Sequence, residues 1–343
     1  MTRESIPYEL SVVLGHYALG ELRTVRRAER GFVNDNWIVT TDRGRYFVKR
    51  RHPDLRRPDV IRAQHELLRW LRRMAFPAPL VVPTLQGQTL LMLGGQCYEI
   101  QGFIDGDPYD HDRSTHLEEA AVTLGHYHTY VQGFSPPALR GLVELYSPAI
   151  LQSVLTALIT AWELDQDSDL APSIRRLRIH TDELAERFAG HGALPCLVIH
   201  GDYYAGNLLF DGDRIIGVVD YDKARWQPRI VELAEALIYF SSPRPGNLQH
   251  LVYPGVLDWE RFAHFWRNYA RVVALKKGEG RALPDYVRCI WLQMSLTRLL
   301  EKGSRPPEAY AALQEVLVLA NWARANTQPM VEVGRSVKNE RRL

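Results

Sequence analysis

The run VIHGDYYAGNLLF, residues 198–210, constrains the fold more than any other stretch of the chain. Apolar residues lead into His200-Gly201-Asp202, a short loop follows, and Asn207 opens a second apolar run. Asp211-Gly212-Asp213 marks a tight turn, and Ile215–Asp220 returns as an antiparallel partner for Leu208–Phe210. A hairpin of that register brings Asn207 and Asp220 to one end, with Asp202 close by. Two carboxylates and an amide on one point are costly unless compensated, because like charges repel and each must be desolvated. A hard cation is the natural remedy. Mg²⁺ takes oxygen ligands and is usually held by one or two protein groups plus substrate phosphates. Asn207 and Asp220 suit that role, and Asp202 is then free to accept a hydroxyl proton.

The rest of the chain divides around this hairpin. The first hundred residues are strand-rich. Val25–Arg27 and Trp37–Thr41 are strand candidates, Thr41-Asp42-Arg43-Gly44 is a turn, and Arg45–Lys49 is the return strand. Pro58 and Asp59 open a helix whose stripe carries Val60, Ile61, Gln64, Leu67, Leu68 and Leu71, and Pro77 and Pro79 end it. The runs Gln88–Leu93 and Cys97–Ile104, split by Gly94-Gly95, predict another hairpin. From about residue 115 the spacing turns helical, over Glu118–Val131, Ile150–Leu164, Pro172–Phe188, Ile230–Phe240, Trp259–Val273 and Asp285–Leu300. Residues 331–343, VEVGRSVKNERRL, are expected to form a solvated, flexible tail.

Bulk properties exclude several classes. The 343 residues carry a formal net charge of +2, and no stretch concentrates basic residues with interleaved aromatics, so nucleic acid is not the expected partner. No window approaches the roughly 18 unbroken apolar residues of a membrane span, and MTRESIPYEL lacks the apolar segment of a signal peptide. Cys97, Cys196 and Cys289 are far apart, which fits a reducing cytoplasm and neither a disulfide framework nor a zinc site.

The strand-rich part supplies a matching half to the hairpin. Lys49 ends the return strand, and Glu66 lies on the helix that follows. A strand Lys paired with a helix Glu is how a kinase fixes an ammonium against the α- and β-phosphates of ATP. The loop Glu29–Asn36 would cover the phosphates, although it holds a single Gly.

These residues together resemble the superfamily of aminoglycoside phosphotransferases and type II homoserine kinases. The carrying motif is His200-Gly201-Asp202 with Asn207, then Val218-Val219-Asp220-Tyr221-Asp222, then Pro228-Arg229 and Glu232-Leu233-Ala234. The likeness spans nearly the whole chain and is specific at residues 197–240. It implies an α+β, two-lobed protein-kinase-like fold, with a nucleotide-binding lobe at 1–102 and a helical catalytic and acceptor-binding lobe at 103–330. By resemblance Asp202 is the catalytic base, Asn207 and Asp220 bind Mg²⁺, and Lys49 holds ATP. Tyr98–Gly106 is similar to the family's interlobe hinge, so adenine would pair with backbone groups near Gln101 and Phe103. Two departures stand out. Tyr203-Tyr204-Ala205-Gly206 fills the loop where many members carry a His or Pro, and Tyr-Asp-Lys-Ala-Arg-Trp follows Asp220 in place of a Gly-rich segment. Asp222 either reaches a second Mg²⁺ or the acceptor, or pairs with Arg225 or Arg229.

The implied reaction is ATP- and Mg-dependent phosphorylation of a hydroxyl on a small metabolite, an amino alcohol such as homoserine or a sugar. The alternatives are an aminoglycoside O-phosphotransferase and a non-catalytic nucleotide-binding pseudokinase. A protein kinase is disfavoured, because a helix begins at Ile230 and leaves no room for a peptide-docking segment after Asp220. Residues 251–343 hold 15 Lys and Arg against 9 Asp and Glu, the wrong sign for a polycation site. The acidic loop from Asp105 to Asp112 works the other way. His126 and His128 stand two apart, wrong for a helical metal pair, and are expected to be structural. His200 is expected to orient the catalytic loop by hydrogen bonds.

Overall fold

The structure, a computed structural model, describes residues 8–28, 34–164, 168–242 and 257–340. A short helix, α1 (Tyr8–Leu14), leads into an antiparallel meander of β1 (Leu22–Arg27), β2 (Asp35–Thr41) and β3 (Gly44–Arg50). The predicted turn at Thr41–Gly44 sets the β2–β3 register, which pairs Thr41 with Gly44 and Asn36 with Lys49. Helix α2 (Pro58–Arg73) follows, then β4 (Val81–Val82), β5 (Leu91–Leu93) and β6 (Gln96–Gly102). These strands make one six-stranded sheet in the order β1-β2-β3-β6-β4, with β5 also pairing with β6. Leu10 and Val13 of α1 pack with Val39, Val48, Tyr98 and Ile100 on one face of the sheet. Pro58 starts α2 as expected, and its inward stripe buries Val60, Ile61, Gln64, Leu67, Leu68 and Leu71.

Beyond the sheet the chain is mostly helical, so the fold is α+β. Strand β7 (Asp107–Pro108) is followed by α3 (Ser114–Tyr130), α4 (Pro137–Arg140), α5 (Pro148–Ala161) and α6 (Ala171–Ala189). Four short strands come next: β8 (Cys196–Ile199), β9 (Leu208–Asp211), β10 (Arg214–Val218) and β11 (Arg225–Pro228). The expected β9–β10 hairpin forms, and β7 joins its open edge beside Phe210 and Leu209. β8 and β11 make a separate ribbon. The chain then runs through α7 (Arg229–Phe240), α8 (Trp259–Val272), α9 (Lys277–Glu301), α10 (Ala309–Ala325) and α11 (Thr327–Glu340).

Three helical features differ from the expectation. Helix α9 begins at Lys277, eight residues before Asp285, and carries Pro284 inside it. Its start is fixed by Glu279, which accepts the Lys276 N–H (2.8 Å) and both Arg229 donors (2.7 Å each). That buried ion pair links the start of α9 to the start of α7. Helix α10 was not expected, and it buries Leu313, Val316, Leu317 and Ala320 in a second core with α5, α6 and α9. The segment expected to be a flexible tail is helical through Glu340, with Met330 fully buried just before it. Among the described residues no helix is long and apolar enough to cross a membrane.

The main core lies under the β9–β10 hairpin. It joins Leu124 and Tyr127 of α3, Leu208 and Phe210 of β9, Leu233 and Leu237 of α7, and Phe262 and Phe265 of α8. Each such side chain contributes on the order of 1.5–3 kcal/mol when fully buried. The polar loop from His200 to Asn207 is thus built on the main core.

Candidate functional site

Strand β8 delivers His200 to the edge of this core. Gly201 follows with φ +79°, and a Cβ there would lie 2.6 Å from the Lys223 carbonyl oxygen, so only glycine fits. Its N–H donates to Glu232 Oε1 at 2.7 Å. The other Glu232 oxygen meets His128 Nε2 at 2.8 Å, and His128 Nδ1 meets the Tyr269 hydroxyl at 2.7 Å. All of these groups are buried, and the expected structural part for His128 is what the geometry shows. His126 is exposed and stacks on Tyr130.

His200 ties the loop to the hairpin. Its Nδ1 accepts from the Asp202 N–H (3.2 Å), which leaves Nε2–H to donate to the Val219 carbonyl (3.0 Å). Burial lowers its pKa, so the ring stays neutral with one tautomer fixed by these two bonds. The Tyr203 hydroxyl donates to Ala120 O (2.8 Å) and pins the loop onto α3.

Asn207 then closes the loop. Its Nδ2 donates to the Asp202 carbonyl (2.9 Å) and carboxylate (3.2 Å), and its backbone carbonyl accepts the Val219 N–H (3.0 Å). Asp220 comes next, with φ 68°, a left-handed backbone that Asp tolerates better than most residues. Asp202, Asn207 and Asp220 therefore meet at the end of the hairpin. Burial, together with the charges of Asp222 and Asp202, raises the Asp220 pKa against the pull of Lys49. Its side chain is nonetheless 43% exposed, so it is recessed in a cleft and not sealed in the core.

Lys49 reaches the same point from the sheet, with Nζ 3.2 Å from Asp220 and 2.8 Å from Asp222. Its expected partner does not join it. Glu66 is exposed, whereas Gln64 and His65 turn inward. At 100° per residue Glu66 stands about 200° around α2 from Gln64, on the solvent side. Glu99 of β6, paired in register with Lys49, takes the buried place. It is fully buried, 3.9 Å from Lys49 Nζ, 3.0 Å from Arg51 and 2.5 Å from His65 Nε2.

Asp222 also differs from expectation. It pairs with Arg51 (2.7 Å) and Lys49 and accepts from Asn34 Nδ2 (2.6 Å), while Gln64 donates to its backbone carbonyl (2.9 Å). Arg225 instead donates to the carbonyls of Lys223 and Val143, and Arg229 is committed to Glu279. Burial works against every charge in this cluster, but the opposite charges outweigh it. The pKa values of Glu99 and Asp222 are lowered, and those of Lys49 and Arg51 are raised. The Lys49 and Arg51 charges face Glu99, Asp222 and Asp220, which leaves one negative charge where Asp220 borders the cleft.

The hinge is held from both sides. The Phe103 N–H donates to Arg45 O (3.0 Å) and the Gly102 N–H to Leu80 O (2.7 Å). The Phe103 donor expected to serve adenine is thus already engaged by the neighbouring strand. Past it, Ile104 packs on Gly217, where a Cβ would lie 2.9 Å from Ile104 Cγ2. The acidic loop is largely neutralised at its start, since Arg45 pairs with Asp105 (2.6 Å) and lies over the Phe103 ring. The expected phosphate-covering loop, Glu29–Asn36, is described from Asn34 onward, and residues 29–33 lie outside the described residues.

The donors suit a magnesium ion shared with phosphates. Asn207 uses its side-chain nitrogen on Asp202, which leaves its side-chain oxygen Oδ1 for a ligand, and Asp220 is a crowded, partly exposed carboxylate. Among the described residues no three or more His, Cys, Asp or Glu side chains form a metal cage. A cation here would need oxygens from elsewhere, as Mg²⁺ at a nucleotide does.

Glu99, Arg51 and Lys223 were missed from the sequence. Arg51 stands two residues from Lys49, on the same side of the chain, and that spacing was the available signal. Lys223, which holds Asp202 at 2.7 Å, directly follows Asp222. Glu99 gave only a lone acid in an apolar strand.

Comparison with known proteins gives a consistent result. A sequence model of the phosphotransferase enzyme family matches residues 24–265. The homoserine kinase of Pseudomonas aeruginosa (strain PAO1) is 27% identical over 318 residues, covering 90% of this chain and 89% of that protein. A microcompartment-associated aminopropanol kinase superposes with a TM-score of 0.68 at 18% identity, over 94% of this chain and 98% of the other. An amicoumacin kinase in complex with AMP-PNP and Ca²⁺ superposes with a TM-score of 0.65 at 14% identity, over 94% of each chain. The chain belongs to the phosphotransferase enzyme family, with the kinase-like fold of these neighbours, and is a small-molecule kinase.

Proposed function

We propose that this phosphotransferase moves the γ-phosphoryl group of ATP to a hydroxyl of a small metabolite, an amino alcohol such as homoserine or a sugar. The observation that carries this reading is the meeting of Asp202, Asn207 and Asp220 at the hairpin end, with Lys49 brought to Asp220 from the sheet. The homoserine kinases and the aminopropanol kinase among the similar proteins support the acceptor class.

In this reading residues 1–102 hold the nucleotide and 103–330 supply the catalytic loop and the acceptor pocket. Asp202 orients the acceptor hydroxyl and accepts its proton late, since the transition state of phosphoryl transfer is loose and positioning dominates. Lys223 holds one oxygen of Asp202 and Asn207 the other, so the carboxylate is aimed before substrate arrives. Lys49 moves from Asp220 and Asp222 towards the α- and β-phosphates. Asn207 and Asp220 would hold Mg²⁺, which would neutralise phosphate charge when bound. The test is Mg-dependent ADP release across a panel of amino alcohols, sugars, nucleosides and aminoglycosides. Release that no hydroxyl compound stimulates would sink the reading.

A further inference from the structure

Glu235 is a buried acid with no part in the chemistry described so far. It lies on α7, three residues past Glu232 and four before Tyr239, and is 1% exposed. The Tyr146 hydroxyl donates to its Oε1 at 2.6 Å. Its Oε2 has no hydrogen-bond partner among the described residues. A buried carboxyl with one unmatched oxygen loses its hydration without return, and the fold gains nothing visible from it.

Its surroundings place it beside the proposed base. Among the described residues, Tyr146, Lys223, Asp202, Glu232, Arg225 and Tyr239 are the titratable or charged groups that face it, and Arg298 of α9 faces Tyr146 and Tyr239. The Tyr239 ring is 5.6 Å from that of Tyr204, two residues after Asp202. Tyr146, Tyr204 and Tyr239 are each only half-buried, so the cluster reaches solvent through its tyrosines. Burial, the largest influence, pushes the Glu235 carboxyl up to about 8 against the opposing effects of Tyr146 and Lys223. It is therefore mostly neutral at pH 7.

We propose that Glu235 binds the ammonium group of the acceptor beside the Tyr146 hydroxyl, so that the substrate is an amino alcohol with a single amine and not a plain sugar. A carboxylate forms strong charge-assisted hydrogen bonds to an ammonium, and a single carboxyl matches a single amine. A polycation would need further acids, and Asp105 of the acidic loop is already paired with Arg45. Binding would ionise Glu235 and release its proton to solvent. This assignment rests on the phosphotransferase reading above.

The test is calorimetric titration of 3-aminopropan-1-ol and L-homoserine, with propane-1,3-diol and 4-hydroxybutanoate as their deaminated counterparts. In wild type, amine binding should release protons in buffers of different ionisation heat, and amine affinity should rise between about pH 6 and 8. The deaminated compounds should show neither effect. Glu235→Gln should weaken both amines at least about tenfold, leave the deaminated compounds unchanged, and keep affinity for a non-hydrolysable ATP analogue. Equal amine affinity in variant and wild type, or amine binding without proton release, overturns the assignment. If Glu235→Gln does not fold, the wild-type pH series still decides, and a flat amine affinity overturns it. ATP turnover by wild type with amine affinity unmoved by the variant defeats this inference alone. Amine binding with no turnover of any hydroxyl compound defeats the phosphotransferase reading alone.

Discussion

The two sides of Asp202 treat buried charge in opposite ways. On the sheet side Lys49, Arg51, Glu99 and Asp222 are all buried or nearly so, and each contacts at least two others of the cluster or Asp220. On the helical side Glu235 is just as deeply buried, yet one oxygen stands unmatched and its carboxyl is pushed up to about 8. Buried charge survives in a fold when paired and is neutralised when it is not. The sheet side is thus a preformed electrostatic frame, and the helical side holds a group whose partner arrives with the substrate.

The strongest challenge to this contrast lies at their border. Asp220→Ala should abolish Mg-dependent ADP release while the melting temperature holds or rises, because a carboxylate crowded by Asp222 and Asp202 is removed. Residual turnover near the wild-type rate would end its assignment as a metal ligand. Asp202→Asn should lower kcat by roughly 10²–10⁴-fold with little change in ATP affinity, since a base acts in the chemical step. Loss of nucleotide binding in that variant would make Asp202 a ligand instead.

The frame itself is tested by Glu99→Gln. Lys49 and Arg51 would then face one carboxylate fewer in a buried setting, a loss of about 3–5 kcal/mol for a broken buried pair. ATP affinity should fall with it, because Lys49 loses a neighbour that fixes its position. A melting temperature and ATP KM both unchanged would show that Glu99 is a bystander.

The helical side predicts a pH effect of opposite sign. Glu235 moves from an ordinary value of 4.5 to about 8 in the fold. Between those values the folded protein holds a proton that the unfolded chain has lost, so this group's stabilisation is full below pH 4.5 and fades as pH rises to about 8. Thermal melts across that window should fall for wild type more steeply than for Glu235→Gln. Parallel curves would show that the carboxyl is not raised.

The loop from His200 to Asn207 was legible because its spacing and its fold coincide. His200-Gly201-Asp202, Asn207 and Asp220 are fixed by one hairpin, and short-range spacing determines where each side chain lies. The partner of Lys49 was not legible in the same way. Its neighbours are set by the β3–β6 register, which pairs residues 49 and 99, and by the rotation of α2, a matter of one residue. Glu235 hides for a related reason, since within Glu232-Leu233-Ala234-Glu235 both acids are buried and only Glu232 is matched on both oxygens. Helix α10 was not legible because its burial depends on α5 and α6, far away in the sequence.

The smallest expected effect concerns Glu66, and it bears most directly on the frame. A glutamate on the helix that follows the Lys49 strand looks like the partner that lysine needs, and on sequence its removal should weaken ATP use. The structure reverses this. Glu66 faces solvent, and the inward positions of α2 beside it are Gln64 and His65, which bind Asp222 and Glu99. The helix therefore acts on Lys49 only through those two acids. Glu66→Ala should leave ATP KM and kcat at wild-type values and shift stability by no more than about 0.5 kcal/mol, as for an exposed site. Gln64→Ala should raise ATP KM, because the Asp222 carbonyl loses its donor and the loop holding Lys49 loosens. If Glu66→Ala instead cripples ATP use while Gln64→Ala is silent, α2 turns its other face to the nucleotide during turnover, and the buried cluster around Glu99 is a resting arrangement.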